Sequence, residues 1–153
     1  MKIKGIISED FVNYKKPAMT IMFPYCTFKC GTEYCQNSPL SKAGNIEMDI
    51  SDIVIRYLNN PITESVVMQG LEPFDSWNDL IELVDYLRRS TNDDIVIYTG
   101  YNKEEIINKV CLLSNYKNII IKYGRYITNQ EKHYDEVLGV YLASSNQYAE
   151  RIS

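Results

Sequence analysis

The chain has 153 residues, of which 45% are hydrophobic, and its formal net charge is −4. A chain of this length and hydrophobic content can bury one sizeable core, which excludes a disordered segment. The acidic balance argues against a general nucleic-acid binder, and no apolar stretch is long enough to cross a bilayer. The acidic pair Glu9-Asp10 does not suit a signal peptide. We therefore expect a cytoplasmic protein with no nucleic-acid or membrane partner.

Short apolar runs alternate with segments of helical spacing along the chain. Residues 18–23 form an apolar run that ends at Pro24, and they predict a buried strand leading into a cysteine-rich loop. A helix is predicted after this loop, with Asp49 as its N-cap. Its inner face would carry Ile50, Ile53, Val54, Tyr57 and Leu58.

The same alternation continues through the middle of the chain. Residues 65–68 predict a second buried strand, which ends in the segment Gln69-Gly70-Leu71-Glu72-Pro73. Ser76 and Asp79 form an approximate capping box for the next helix. The inner face of that helix would carry Trp77, Leu80, Ile81, Val84 and Leu87.

Two further strands are predicted in the second half, over residues 95–98 and 118–122, and residues 137–142 are a candidate for a fifth. The first of these ends in Thr99-Gly100-Tyr101, after which Asn102 and Glu105 can cap a helix. The inner face of this last helix would carry Ile106, Ile107, Val110 and Leu113.

This order of elements indicates an α/β fold with a parallel sheet. Right-handed crossovers place the carboxyl ends of parallel strands at one edge, where ligand sites of such sheets lie. The chain is too short for a closed eight-stranded barrel, which typically takes about 250 residues. We therefore expect a compact partial (β/α) barrel or a small open parallel sheet, in a single domain over residues 1–153.

Three of the four cysteines, Cys26, Cys30 and Cys35, fall within ten residues of one another. Thiolates bind iron–sulfur clusters and zinc. A structural zinc ion usually takes four protein ligands, so here Cys111, His133 or a carboxylate would have to complete the set. A [4Fe–4S] cluster held by three cysteines leaves one iron open for a ligand. The residues favour iron–sulfur and leave zinc, or a redox or packing role, as alternatives. Cys111 lies on a predicted helix, where we expect it to be buried.

The segment that follows the second strand has a pattern suited to ligand binding. Gly70 allows close backbone approach, and Glu72 could pair with a ligand ammonium group. Without the cysteines, the same segment would be an ordinary strand-to-helix turn with a solvated glutamate.

Taken in order, these motifs resemble those of radical S-adenosylmethionine (SAM) activating enzymes. The branch they resemble most activates anaerobic ribonucleoside-triphosphate reductases. The three clustered cysteines resemble the family's C-x3-C-x2-C motif, with four residues in the second gap here, and Asn37 resembles an asparagine that often follows. Four later segments resemble further motifs of the family, in the order Gln69-Gly70-Leu71-Glu72-Pro73, Thr99-Gly100-Tyr101, Gly124-Arg125-Tyr126 and Ser144-Ser145-Asn146-Gln147.

The resemblance implies a radical SAM fold in which Cys26, Cys30 and Cys35 hold a [4Fe–4S] cluster and the fourth iron takes SAM. It implies SAM cleavage to a 5′-deoxyadenosyl radical, with no catalytic residue beyond the cluster. The radical would install a glycyl radical on the large subunit of an anaerobic ribonucleotide reductase, with reduced flavodoxin or a similar protein as electron donor. The residues it assigns to SAM binding are Tyr34, Gly70, Glu72, Thr99 and Tyr101.

Two other interpretations remain open at this point. Another radical SAM activase or a peptide-modifying enzyme would share the cysteines and the Glu72 turn. A non-catalytic iron–sulfur or zinc protein for electron transfer or assembly would leave that turn unexplained, and one fold hosts many functions. Asn146 and Gln147 could contact a ligand or a partner, or could form a C-terminal turn.

Overall fold

A six-stranded mixed sheet runs through the fold in the computed structural model, which describes residues 1–27, 31, 33 and 35–153. Short 3₁₀ turns over Pro73–Ser76 and Lys103–Ile106 lead into two of the helices. In chain order, the elements of the described residues are β1 (Lys2–Ile3), β2 (Gly5–Asp10), β3 (Ala18–Phe23), α1 (Ser38–Lys42), β4 (Ile46–Glu47), α2 (Ile50–Leu58), β5 (Ser65–Gly70), α3 (Trp77–Ser90), β6 (Asp94–Tyr98), α4 (Ile107–Leu113), β7 (Ile119–Tyr123), β8 (His133–Asp135), β9 (Val140–Leu142) and β10 (Tyr148–Arg151).

The strand order of the central sheet is β10-β7-β6-β5-β3-β2. The four inner strands are parallel to one another, whereas β2 and β10 pair antiparallel at the two edges. Parallel strands covered on both faces need continuous apolar runs, and this requirement is why the sequence revealed β3, β5, β6 and β7. The α/β class is confirmed. The inner strands are parallel as predicted, and the sheet as a whole is mixed because both edge strands pair antiparallel.

Three helices cover one face of this sheet, and a C-terminal segment covers the other. Alternate strand residues, including Met68, Ile97 and Ile121, pack against α2, α3 and α4 in the larger core. The intervening residues face a smaller core. This second core contains Tyr14, Val67, Val96, Ile120, Leu138 and Leu142. Two closed faces leave the strand ends as the place where a cavity can form.

The helices begin close to where the sequence placed them, but several of their details differ. Asp49 is the N-cap of α2, although its side chain makes no capping hydrogen bond. Leu58 and Ile107, both expected on the inner faces of their helices, are 49% and 44% exposed. The capping box at Ser76 and Asp79 is wrong: the buried Ser76 hydroxyl has no hydrogen-bond partner, and a 3₁₀ turn precedes α3 instead. Before α4, the Asn102 N–H donates to Glu105 Oε2 at 2.8 Å.

The predicted fifth strand over residues 137–142 is confirmed only as β9, which pairs with β8 outside the central sheet. The strand that does join the sheet, β10, was not predicted. It lies at an edge, and its residues, Tyr148 to Arg151, are exposed or half-buried. An edge strand of this kind needs no apolar run, so hydropathy carries no signal for it. Among the described residues, no helix combines the length and apolar character needed to cross a bilayer.

Candidate functional site

A cavity of about 420 Å³ lies at the carboxyl ends of the four parallel strands. Small-molecule sites typically have volumes of about 300–1,000 Å³. The segments that follow β3, β5, β6 and β7 all contribute to its wall, as the sequence predicted for this edge. Predicted site residues that line it are Cys26, Cys35, Gly70, Glu72 and Thr99.

The cysteine loop follows β3 and contributes residues to the cavity wall. Cys26 and Cys35 are half-buried, and both line the wall. Cys30 and Tyr34 lie outside the described residues, so their predicted roles stay predictions. Within the described ranges, no three potential metal ligands form a group. Thiols open to a common cavity are nonetheless the ligands that iron–sulfur clusters take, so these two residues fit such a cluster.

Three hydrogen bonds hold the described ends of the cysteine loop, and a fourth, from Tyr101, orients the Asp75 carboxylate that accepts one of them. The Thr27 N–H donates to Asp75 Oδ2 at 2.8 Å, and Tyr101 Oη donates to Asp75 Oδ1 at 2.6 Å. The Glu72 N–H donates to the carbonyl of Tyr25, the residue before Cys26, at 2.7 Å. After the last cysteine, Asn37 Nδ2 donates to the Gly70 carbonyl at 2.6 Å. Both ends of the loop are therefore fixed to the turn that follows β5.

Gly70 allows this turn to pass close to β3. Its φ is +102°, in the left-handed region that favours glycine. A Cβ atom there would lie 2.8 Å from the Phe23 backbone nitrogen and 2.9 Å from the Met22 Cα. The predicted need for a glycine at this strand end is confirmed.

Gly70→Ala should destabilise the fold by about 2–4 kcal/mol, because it adds a strained φ and a backbone clash. The free energy of unfolding from urea titration would measure this loss. Gly44→Ala is the matched control, since a Cβ atom at Gly44 meets nothing within 4 Å. An equal effect of the two substitutions would contradict the explanation based on backbone geometry.

Glu72 is an acidic residue of the wall, and its side chain is almost fully buried. Its Oε1 accepts from the Phe74 N–H at 3.1 Å and from Thr99 Oγ1 at 2.8 Å, and its Oε2 accepts from the Gly100 N–H at 2.8 Å. A carboxylate has about four acceptor positions, so Oε2 keeps capacity for one more donor. Burial raises the pKa of Glu72 to about 7, although these hydrogen bonds oppose the shift. A donor from a ligand would favour the ionised form.

Thr99 and Tyr101 have different positions relative to the cavity. Thr99 is buried in the wall, where its hydroxyl orients the Glu72 carboxylate. The wall does not include Tyr101, whose hydroxyl donates to Asp75 beside the cysteine loop. The Arg125 guanidinium lies 5.4 Å from the centroid of the Tyr101 ring. In this structure, the contacts of Tyr101 hold the loop.

Sequence reasoning did not identify Lys122 as a site residue, although it lies in the wall and is 7% exposed. A signal was present, because a lysine near the carboxyl end of an otherwise apolar strand is unusual. Burial lowers the pKa of Lys122 to about 8, and the charge of Glu72 acts against that shift.

The C-terminal motif forms a turn that braces the segment after β7. Gln147 Oε1 accepts from the backbone N–H groups of Ala143 and Ser144, while Gln147 Nε2 donates to the Gly124 carbonyl at 3.1 Å. Asn146 Nδ2 donates to the Arg125 carbonyl at 2.9 Å. Of the alternatives for this motif, the turn is the one these contacts support.

Cys111 and His133 lie away from the cavity wall. Cys111 is exposed on α4, so the prediction that it is buried is wrong. The apolar positions of α4 that face the core are Val110 and Leu113, and Cys111 falls between them on the outer side. His133 Nε2 is 2.7 Å from the Gln147 carbonyl oxygen. Of the candidates for a fourth zinc ligand, the wall therefore contains neither Cys111 nor His133, but it does contain the carboxylate of Glu72.

In a comparison with protein families, residues 17–148 match the model described as a 4Fe-4S single cluster domain. Neither the curated proteins nor the solved structures gave a significant match. The matched span contains every strand of the parallel sheet and the whole cysteine segment. It decides between iron–sulfur and zinc in favour of iron–sulfur. The chain belongs to the 4Fe-4S single cluster domain family.

Proposed function

We propose that this chain, as one domain over residues 1–153, is a radical SAM activating enzyme. Its substrate is the large subunit of an anaerobic ribonucleotide reductase, on which it installs a glycyl radical. The proposal rests on the order of the motifs along the sequence, together with the cavity. That cavity collects Cys26, Cys35, Gly70, Glu72 and Thr99 from segments far apart in the chain.

The observation that carries the proposal is a buried carboxylate in the same cavity as two cluster cysteines. A cluster used only for electron transfer has no need of such a group, because burying a charge is costly. Glu72 is held by three donors and keeps acceptor capacity. A ligand with an amino group, bound beside the cluster, accounts for that arrangement. SAM is such a ligand.

In this proposal Cys26, Cys30 and Cys35 hold the cluster, and one iron stays open for SAM. A reduced cluster bound there would supply the electron for cleavage of SAM to methionine and a 5′-deoxyadenosyl radical. The protein orients the ligand and excludes water around it. Glu72 binds the amino group of SAM, with its carboxylate oriented by Thr99, and Gly70 lets the backbone come close. Tyr34 and Tyr101 complete the proposed contacts with SAM.

A protein substrate requires a site that a polypeptide segment can reach. Two apolar side chains at the cavity wall are largely exposed, Val12 at 77% and Tyr141 at 72%. These side chains give an incoming backbone segment an apolar surface beside the ligand. Reduced flavodoxin or a similar protein is the proposed source of electrons.

The second candidate function is a non-catalytic iron–sulfur protein for electron transfer. The observation that favours it is the family match itself, since its description names a cluster and no reaction. It predicts that the reconstituted protein holds a cluster and does not bind SAM.

An anaerobic assay separates the two functions. The protein is reconstituted with iron and sulfide, reduced with dithionite and given SAM, and 5′-deoxyadenosine is measured by chromatography. Product that requires both cluster and SAM supports the radical chemistry, and a glycyl radical signal after addition of the reductase subunit supports the partner. If no product forms, a SAM-dependent shift in the EPR spectrum of the reduced cluster would still indicate SAM binding. An unchanged spectrum would support electron transfer.

A further inference from the structure

Lys122 is a buried cation in an apolar strand. All five residues of β7 are buried, and Lys122 is the charged one among them. Its ammonium donates to the Gly124 carbonyl at 2.9 Å and lies 5.9 Å from the centroid of the Tyr98 ring. Within the described part of the chain, no carboxylate lies within ion-pair distance of it. A buried charge without a counter-ion is costly, so an anionic ligand bound beside Lys122 would reduce the free-energy cost of burying its charge.

The position of Lys122 is linked to that of Glu72 through Thr99. The Lys122 carbonyl accepts from the Thr99 N–H at 2.8 Å, and the Thr99 hydroxyl donates to Glu72 at 2.8 Å. Thr99 therefore links the backbone of Lys122 to the side chain of Glu72. Both charged side chains line the same cavity. The wall thus presents one negative and one positive group to a ligand.

The other cation that the described residues contribute to the wall, Arg125, is engaged elsewhere. The two terminal nitrogens of Arg125 donate to the two oxygens of Glu105, each at 2.9 Å. A bidentate pair of this kind fixes the guanidinium. Of these two cations, Lys122 is therefore the one that is placed to bind an incoming anion.

We propose that Lys122 is the anion-binding residue of the cavity and binds the carboxylate of a ligand with an amino-acid end, whose amino group Glu72 binds. Opposite charges on one wall fit the two charged groups of an amino acid and fix its orientation. The inference rests on the proposed function, in which that amino acid is the methionine end of SAM. The inference adds Lys122 to that function as the residue that binds the carboxylate of the methionine end.

The test compares two ligands, SAM and its decarboxylated analogue, which keeps the amine and lacks the carboxylate. Anaerobic calorimetry on the cluster-loaded protein would measure both affinities for the unchanged chain and for Lys122→Met. We expect Lys122→Met to weaken SAM binding by about 10- to 100-fold, the range for a charged hydrogen bond. Binding of the analogue should be unchanged or tighter, because its extra positive charge no longer meets a lysine.

Three controls accompany this comparison. Lys132→Met removes the same charge from an exposed position and should alter neither affinity. Lys122→Arg keeps a cation and should retain part of the preference for SAM over the analogue, and it serves as the test if Lys122→Met does not fold. The iron content and melting temperature of Lys122→Met should match those of the unchanged chain, since an apolar side chain often replaces a buried charge without loss of stability.

The outcomes separate this inference from the proposed function. Equal losses for SAM and the analogue would assign Lys122 a structural role, and no loss for either would remove it from the site; both results overturn the inference and leave the function intact. An unchanged chain that holds its cluster and binds neither ligand would overturn the proposed function, and the inference with it.

Discussion

Cys35→Ala is expected to abolish the [4Fe–4S] cluster. Cys35 lines the cavity, and its thiolate would be one of three ligands, so its loss leaves two. A [4Fe–4S] cluster that is bound to the protein by three thiolates should not be retained when only two of them remain. Iron and sulfide content after anaerobic reconstitution should fall to background, together with the absorbance and the EPR signal of the reduced cluster. Cys26→Ala and Cys30→Ala should have the same effect.

Cys111→Ala provides the matched control for these substitutions. It removes a thiol of the same chemistry from an exposed position on α4 that is not part of the cavity wall. Iron content should therefore be unaltered. A full cluster in Cys35→Ala, or a loss of iron in Cys111→Ala, would show that the ligands have been assigned to the wrong cysteines.

The sequence predicted the four parallel strands well because each of them must be apolar along its whole length. β3 and β7 are covered on both faces, so almost every residue is buried and the run is visible without an alignment. β10 is different, since its position at an edge places no such demand on its residues. Strand pairing at an edge depends on backbone hydrogen bonds, which every residue can make.

The close backbone approach at position 70 could be predicted, because local chain geometry determines the residue there. Gly70 is required by a positive φ and a close approach, and both demands are fixed by the strand end on which it lies. The contacts of Tyr101 could not be predicted in this way. Its hydroxyl bonds Asp75 across 26 residues of sequence, a pairing that depends on how two turns meet. A lysine in an otherwise apolar strand marked Lys122 as unusual, but its place in the wall follows from the packing of β7 beside β6.

Glu72→Gln is expected to weaken SAM binding by about 10- to 100-fold while the cluster is retained, since a charge-assisted hydrogen bond is lost. The substitution leaves the shape of the side chain and removes its charge. Anaerobic calorimetry with SAM would measure the loss, and iron content would report on the cluster. Glu82→Gln, on the exposed side of α3, is the control with the same change of charge. Unchanged affinity in Glu72→Gln would remove Glu72 from the proposed site.

The pH dependence of SAM binding gives a sharper test of the same residue. Burial raises the pKa of Glu72 to about 7, and Asp75 adds to this shift. Below that pH the carboxyl of the free protein is protonated and is a poorer acceptor for an amino group. The affinity of the unchanged chain should therefore rise as the pH increases through about 7. In Glu72→Gln the side chain at position 72 cannot ionise, so this rise in affinity with pH should be absent.

The stability of the ligand-free protein should change with pH in the opposite direction. The folded state holds a proton on Glu72 up to about pH 7, whereas the unfolded chain releases it near the ordinary carboxyl pKa. Between these two values the folded state binds more protons, so the contribution of Glu72 to the free energy of unfolding falls as the pH rises. The same ionisation that favours the ligand thus destabilises the empty site. Saturating SAM should remove most of this fall, because a bound amino group compensates the buried charge.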